Sequence, residues 1–337
     1  MLAAVFSGNN NIVLSDYSLR TLEQDELLIK VSCCGVCGTD RHIFEGKAPS
    51  SIPVILGHEF SGEIVERGVS NSRFNIGDKV AIDPNIYCGH CDYCRRGMVS
   101  FCKNADALGV TLNGGFAEYS IVPASQAYIL PQDFDLSAAA FSEPLSCCLR
   151  GIEHADIQPG ETVVIIGGGS IGLLMVQLVG NSGASKIILI EPDSYKQKLG
   201  IKLGADYSLS PYNEKIFEEI KELTDSQVDI VIECVGSADT AENAIQIAGK
   251  GGKVVIFGLA PKEQNITLNL QYLFCNELKI FSSFLNPFTF KSAIDLLVNK
   301  KIKIQELITQ QIYLKDVTNI FSGSNISNSI KVQIINN

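Results

Sequence analysis

The residues of this chain with the most definite chemistry are four cysteines in one short stretch: Cys88-Gly-His-Cys91-Asp-Tyr-Cys94, then seven residues, then Cys102. A two-residue gap is what a tight turn needs to aim two sulfurs at one point. Zinc, with no geometric preference of its own, accepts a closed tetrahedron of thiolates. The spacing predicts a structural zinc ion. Cys37-Gly38-Thr39-Asp40-Arg41-His42 and Gly57-His58-Glu59 supply a second set of ligand types, a soft thiolate and an imidazole flanked by carboxylates. A catalytic zinc takes three protein groups and leaves a fourth position to water or substrate. Cys37 and His58 are the natural pair for it, with Glu59 or the distant Glu143, in Phe141-Ser142-Glu143-Pro144, as the third.

Gly167-Gly168-Gly169-Ser170-Ile171-Gly172 fits the G-x-G-x-x-G fingerprint and stands between an apolar strand pattern and a helical one. Gly167 permits the tight turn, Gly169 lets backbone approach a pyrophosphate, and Gly172 lets helix and strand pack closely, while the helix N-terminus favours the anion. Glu191, at the end of the next strand pattern, is placed to grip a ribose 2′-hydroxyl, and its charge repels a 2′-phosphate. NAD is therefore expected over NADP, with Lys196 the one nearby cation that could blur the choice.

The elements that must position these groups fall into two kinds. Over the first 130 or so residues the chain reads as short β-rich runs at 27–32, 63–66, 79–82 and 117–122, with no sustained helical period. From residue 161 strand and helix alternate: strands at 162–166, 186–190, 228–233 and 253–257, helices at 170–181, 195–203 and 240–248. That rhythm belongs to a parallel, doubly wound sheet, and the short strands are apolar on both faces, as a covered sheet requires. After about residue 287 the rhythm stops, and one helix at 290–299 leads to a β-like tail; residues 322–329 form a polar, turn-rich stretch. The apolar run 163–180 is broken by Gly167, Gly168, Gly169, Gly172 and Gln177, so it reads as strand, turn and helix and not as a membrane span.

Eleven cysteines, an odd number, and an N-terminus with neither a basic n-region nor an apolar h-region lead to the expectation of a reduced, cytoplasmic protein. Cys33, Cys34, Cys147, Cys148, Cys234 and Cys275 are expected to be small buried residues, His90 a loop residue and His154 part of a helix end. A net charge of -10 without a basic cluster argues against nucleic acid or an anionic membrane as the main partner. Length and 46% hydrophobic residues allow a sizeable core in one large or two ordinary domains.

Taken in order, Cys-Gly-Thr-Asp, Gly-His-Glu-x-x-Gly, the four-cysteine stretch, Glu-Pro-Leu and the glycine fingerprint make the chain resemble the zinc-containing medium-chain dehydrogenases, most of all their polyol and threonine dehydrogenase branch. The resemblance implies an α/β protein in which a β-rich GroES-like catalytic domain (1–143, with a return at 288–337) closes over a Rossmann NAD-binding domain (144–287), with the active site in the cleft. It implies a catalytic zinc on Cys37, His58 and Glu59, with Glu143 as a second carboxylate near the metal. Thr39 and His42 match the family's proton relay, Ile171, Glu191 and Lys196 would line the NAD site, and a homodimer or homotetramer is implied. The expected reaction is reversible oxidation of a secondary alcohol to a ketone. A polyol or sugar alcohol, phosphorylated or not, is the first choice of substrate, threonine the second and a small secondary alcohol the third. A non-enzymatic NAD-binding relative would have lost Thr39 or His42, and a zinc-free quinone-reductase-like enzyme would lack the four cysteines and Gly-His-Glu. One departure stands out, the turn Glu66-Arg67-Gly68-Val69-Ser70-Asn71-Ser72, which is shorter at the turn and longer after it than the family's pattern.

Overall fold

The computed structural model describes residues 1–321 and 329–336, so all but the last residue of the turn-rich stretch lies outside it. The chain divides into two units, one of Met1–Ser146, Phe290–Lys300 and Ile304–Asn337, the other of Cys147–Thr289 and Lys301–Lys303.

The first unit is built on a seven-stranded sheet. Its order is Ala127–Ile129, Lys79–Ile82, Glu59–Arg67, Glu26–Gly35, Lys331–Ile335 and Ile308–Tyr313, with Tyr119–Pro123 also paired to Glu26–Gly35. Within the ten-residue strand Glu26–Gly35, Leu27, Ile29 and Val31 enter the core at every second position, and a register shift between Val31 and Cys33 brings Cys34 to the same face. Around them pack Phe60, Phe74 and Phe116, each at most 1% exposed. Burying side chains of this kind stabilises by roughly 1.5–3 kcal/mol each. Two antiparallel registers converge on Gly35, which lies opposite Glu59 on one side and opposite Gln333 on the other. The end of one strand and the starts of its two neighbours therefore meet at one place.

Helix Gly38–Phe44 was not legible in the sequence, which read as β-rich throughout this region. It is two turns long, buries only Asp40 and Ile43, and so has too few apolar positions to declare a period. Its start is fixed locally, by the Cys37 N–H donating to Oδ2 of Asp40 at 2.8 Å. The atypical turn after Arg67 is anchored on the segment before Glu26–Gly35: Gly68 N–H donates to Glu26 O, Ser70 N–H to Gln24 O, and the Asn71 amide to both carbonyls.

The second unit holds a six-stranded, wholly parallel sheet in the order Tyr207–Leu209, Lys186–Ile190, Thr162–Ile166, Ile230–Glu233, Lys253–Ile256, Lys279–Ser282. Counted along the chain this is 3-2-1-4-5-6, the doubly wound order, and the order in which strands are added reverses between Thr162–Ile166 and Ile230–Glu233. The alternating helices include Ser170–Asn181, Ser194–Leu203, Ile216–Thr224 and Ala238–Ile247. The outer strands Tyr207–Leu209 and Lys279–Ser282 were missed in the sequence because each is short and carries exposed residues, unlike the fully apolar inner strands. Among the described residues no helix is long and apolar enough to cross a membrane.

The cysteine expectation needs one correction. Cys33, Cys34 and Cys148 are buried, but Cys147 and Cys234 are only partly so, and Cys275 is exposed. Cys275 sits on helix Leu270–Asn276, none of whose residues is buried in the single chain, so its apolar neighbours in sequence gave a false signal of core. All eleven cysteines are free thiols.

Candidate active site

Cys37 ends the segment that leaves strand Glu26–Gly35, and His58 and Glu59 open the antiparallel strand beside it. The ligand atoms of Cys37, His58 and Glu59 all lie within 4.8 Å of one another, a span that one ion with bonds of about 2.0–2.3 Å can bridge. His58 and Glu59 are buried, at 7% and 1% exposure. Oε2 of Glu59 stands 2.6 Å from the Lys331 ammonium and Nδ1 of His58 stands 3.4 Å from Oδ1 of Asp40, so both buried ligands are held by charged neighbours while a thiolate, an imidazole and a carboxylate still converge on one point. The donor set fits zinc. Glu143 is not a member of this group; it is buried in the first turn of helix Ser142–Ala155.

Two charged residues around the cluster were not singled out from the sequence. Asp40, wholly buried, places Oδ1 3.4 Å from Nδ1 of His58. Burial opposes charge on the His58 imidazole, but the Asp40 carboxylate and Cys37 outweigh it and raise its pKa well above the ordinary value. Carboxylates beside metal-binding imidazoles fix ring orientation in this way. Lys331, 4% exposed, reaches Glu59 at 2.8 Å (Oε1) and 2.6 Å (Oε2) and donates to Val36 O at 3.2 Å. Burial works against its charge, yet Glu59, with help from Cys37 and Glu143, raises its pKa. The one available signal was a lysine at an inward position of the tail Ile330-Lys331-Val332-Gln333-Ile334, two residues from the equally buried Gln333.

Gly35 makes room for this arrangement. A Cβ there would fall 2.1 Å from Oε2 of Glu59, so only glycine lets the carboxylate stand against the neighbouring strand. On helix Gly38–Phe44, Thr39 and His42 are three residues apart, hence on one face, and both are half-buried.

The four-cysteine stretch closes on itself. The sulfurs of Cys88, Cys91, Cys94 and Cys102 lie within 4.8 Å of one another, with Cys88 and Cys94 at 4.0 Å; a tetrahedral zinc with Zn–S bonds of about 2.3 Å places its sulfurs about 3.8 Å apart. Cys91 N–H points at the Cys88 sulfur and Cys88 N–H at the Cys102 sulfur, each at 3.4 Å. Backbone N–H groups of Cys94 and Lys103 pull the Cys91 thiol down to about 6, while burial and neighbouring thiols push Cys94 up to about 12. Four thiols sharing one spot cannot all ionise without a cation between them. His90 lies outside this group, exposed, with Nδ1 2.7 Å from Cys88 O.

In the second unit, Gly167 has φ +100°, which favours glycine, and a Cβ on Gly172 would fall 1.7 Å from Gly167 O. Gly169 caps helix Ser170–Asn181, and no atom lies within 4 Å of where its Cβ would be, so its backbone is approachable from outside. Ile171 follows in the first turn, half-buried. Glu191, 5% exposed, accepts from Gly168 N–H at 2.6 Å and from Asp193 N–H at 2.9 Å. Lys196 is half-buried, and its N–H donates to the capping Asp193 carboxylate at 2.9 Å.

Residues 23–132 match the family model of the alcohol dehydrogenase GroES-like domain, and residues 170–299 that of the zinc-binding dehydrogenases. The chain is 32% identical to the D-arabitol-phosphate dehydrogenase of Enterococcus avium, covering 98% of this chain and 95% of that protein. It is 37% identical to the L-threonine 3-dehydrogenase of Pyrococcus abyssi over 254 residues, 74% of this chain and 73% of that one. A crystal structure from Sinorhizobium meliloti 1021, of a protein assigned to the zinc-binding dehydrogenases and bound to NADP, superposes with a TM-score of 0.97 at 38% identity, covering 99% of each chain. Both halves of the chain and its two cysteine-bearing clusters thus lead to one place, and the chain belongs to the zinc-containing medium-chain dehydrogenases.

Proposed function

We propose that the protein is a zinc-dependent oxidoreductase that reversibly oxidises a secondary alcohol of a polyol or sugar alcohol to the ketone with NAD. The observation that carries this reading is the convergence of Cys37, His58 and Glu59 at one buried point beside the helix that bears Thr39 and His42. When bound, zinc supplies a Lewis acid that lowers the pKa of the alcohol oxygen, and NAD supplies the hydride acceptor. Cys37, His58 and Glu59 hold that ion, Asp40 orients His58, and Lys331 steadies Glu59 through its two oxygens. Thr39 takes the alcohol proton on its hydroxyl while giving its own to His42, which hands it on to water. Glu143 contributes a second negative charge near the reacting oxygen and an alternative ligand. Cys88, Cys91, Cys94 and Cys102 hold a structural zinc.

Gly167, Gly169, Ile171 and Gly172 would cradle the pyrophosphate, and Glu191 and Lys196 the adenine ribose. Glu191 already stands against Gly168 N–H, so a 2′-phosphate would meet a buried carboxylate. This supports NAD over NADP, in contrast to the NADP-bound relative from Sinorhizobium meliloti. L-Threonine, oxidised at its 3-hydroxyl, is the second reading, favoured by the similarity to the Pyrococcus abyssi enzyme.

Eleven free thiols favour a reducing compartment, and we place the protein in the cytoplasm. A homodimer or a homotetramer built on it is favoured by the outer strand Lys279–Ser282, which among the described residues pairs on one side only, and by Leu270, Phe274 and Phe288, which flank it in sequence and are each more than three-quarters exposed. The deciding experiment is NADH formation from a panel of polyols, polyol phosphates, L-threonine and 2,3-butanediol. A polyol or polyol phosphate with the highest kcat/KM is expected; threonine in first place would establish the second reading, and no turnover of any alcohol would refute both.

A further inference from the structure

Glu233 ends the strand Ile230–Glu233, on one side of the point where the strand order of the parallel sheet reverses. It is 1% exposed and takes no part in the chemistry assigned above. Its Oε1 accepts three hydrogen bonds, from Val235 N–H at 2.7 Å, Gly236 N–H at 2.9 Å and the Thr240 hydroxyl at 2.8 Å. Its backbone carbonyl accepts two more, from Phe257 N–H at 2.9 Å and Gly258 N–H at 3.0 Å. Oε2, buried, has no hydrogen-bond partner among the described residues, so the carboxylate acts through one oxygen.

The loop held in this way faces the glycine turn. A Cβ on Gly167 would fall 2.7 Å from a methyl of Val235, and one on Gly258 would fall 2.2 Å from Gly236 N. Glu233 thus ties together the loops that follow three adjacent strands, Thr162–Ile166, Ile230–Glu233 and Lys253–Ile256, at their C-terminal ends. In a doubly wound sheet a dinucleotide lies across these ends at the switch point. Glu191 belongs to the first half of the sheet and to the adenine ribose, which leaves the half that Glu233 opens to the nicotinamide end.

We propose that Glu233 is a positioning residue for the nicotinamide half of the dinucleotide, fixing the loop of residues 234–236 through Oε1. The proposal rests on the dinucleotide site read above. Two part-buried N–H groups, of Val235 and Gly236, and the Thr240 hydroxyl all depend on that oxygen, and withdrawing it from three donors at once removes what fixes the loop.

The test uses the zinc-loaded enzyme and reads NADH binding from the emission of NADH itself, since the chain has no tryptophan. Glu233→Gln keeps an oxygen at the Oε1 position and should bind NADH within about twofold of the unaltered enzyme. Glu233→Asp keeps the charge but withdraws the oxygen by one methylene. It should raise Kd for NADH and KM for NAD roughly tenfold to a hundredfold, with zinc content and the alcohol KM unchanged. Val231→Ala, in the same strand, should lower Tm without moving Kd, which separates positioning from general loss of stability. An Asp variant that binds like the unaltered enzyme, or a Gln variant weakened as much as Asp, would overturn the proposal. Absence of NADH binding by the unaltered enzyme would instead refute the cofactor reading on which it rests.

Discussion

Replacing Gly35 by alanine tests the metal site through space alone. Gly35 lies in a regular strand and its φ is not positive, so alanine costs nothing in backbone strain. The added Cβ would fall 2.1 Å from Oε2 of Glu59 and 3.2 Å from both its Cβ and Cδ, where ordinary contacts begin at 3.4 Å. The Glu59 carboxylate must then retreat by more than ~1 Å in a close-packed interior. Lys331 holds that carboxylate at 2.6 and 2.8 Å, so the retreat strains a buried ion pair as well as a ligand. Overpacking of this kind costs roughly 1–3 kcal/mol, which for a unit of this size lowers Tm by roughly 2–10 °C. Displacing a group that holds or supports a ligand weakens metal binding by roughly tenfold to a hundredfold. Gly35→Ala should therefore surrender one zinc ion per chain to a chelating dye faster than the unaltered enzyme, and lose kcat/KM in step, while the second zinc is retained. A variant with both zinc ions retained and activity within about twofold of the unaltered enzyme would refute the assignment of Glu59 to the metal.

His42→Ala should lower turnover most at neutral and mildly acid pH, where hydroxide is scarce, by roughly a hundredfold to ten-thousandfold. Its zinc content should be normal and imidazole should partly rescue it; a flat, unaltered pH profile of kcat would mean that the proton leaves by another route. Glu191→Ser should narrow the preference for NAD over NADP, because it removes the carboxylate that stands against Gly168 N–H. A higher kcat/KM with NADP in the unaltered enzyme would contradict the role of Glu191. Arg20 bonds both oxygens of Glu26, at 2.6 and 2.5 Å, and this holds the Glu26 carboxyl below its usual range despite its burial. A lowered pKa gives stability that is present above the ordinary carboxylate value and is lost as pH falls through the folded one. The urea midpoint of Glu26→Gln should accordingly fall less steeply below about pH 4.5 than that of the unaltered protein, and parallel curves would exclude the pair as an acid-sensitive contact.

The parallel sheet was legible because its inner strands are apolar on both faces and are separated by capped, periodic helices, and because Gly167 to Gly172 mark the first crossover. Cysteine spacing alone was enough to gather Cys88, Cys91, Cys94 and Cys102, since ligands close in sequence need no long-range register. Cys37 and Glu59 are different. They meet because Gly35 and Glu59 are register partners, and nothing local in either segment encodes that pairing. Lys331 and Asp40 escaped notice for the same reason. Lys331 is 272 residues from the carboxylate it neutralises, and an isolated charge in an apolar strand looks in sequence like an outward-facing residue. Helix Gly38–Phe44 is carried by its cap and by Ile43 and not by a period, which is why the relay residues could be placed on an element only in the structure.

If Cys37, His58 and Glu59 hold a zinc ion distinct from the one on the four cysteines, the two ions must be separable by substitution. Metal analysis of the purified protein and of Cys37→Ala, alongside dehydrogenase activity, tests it most directly. The unaltered protein should carry two zinc ions per chain and Cys37→Ala one, with the variant folded and without alcohol-dependent NADH formation. One zinc ion in both proteins, or two in both, would contradict that assignment.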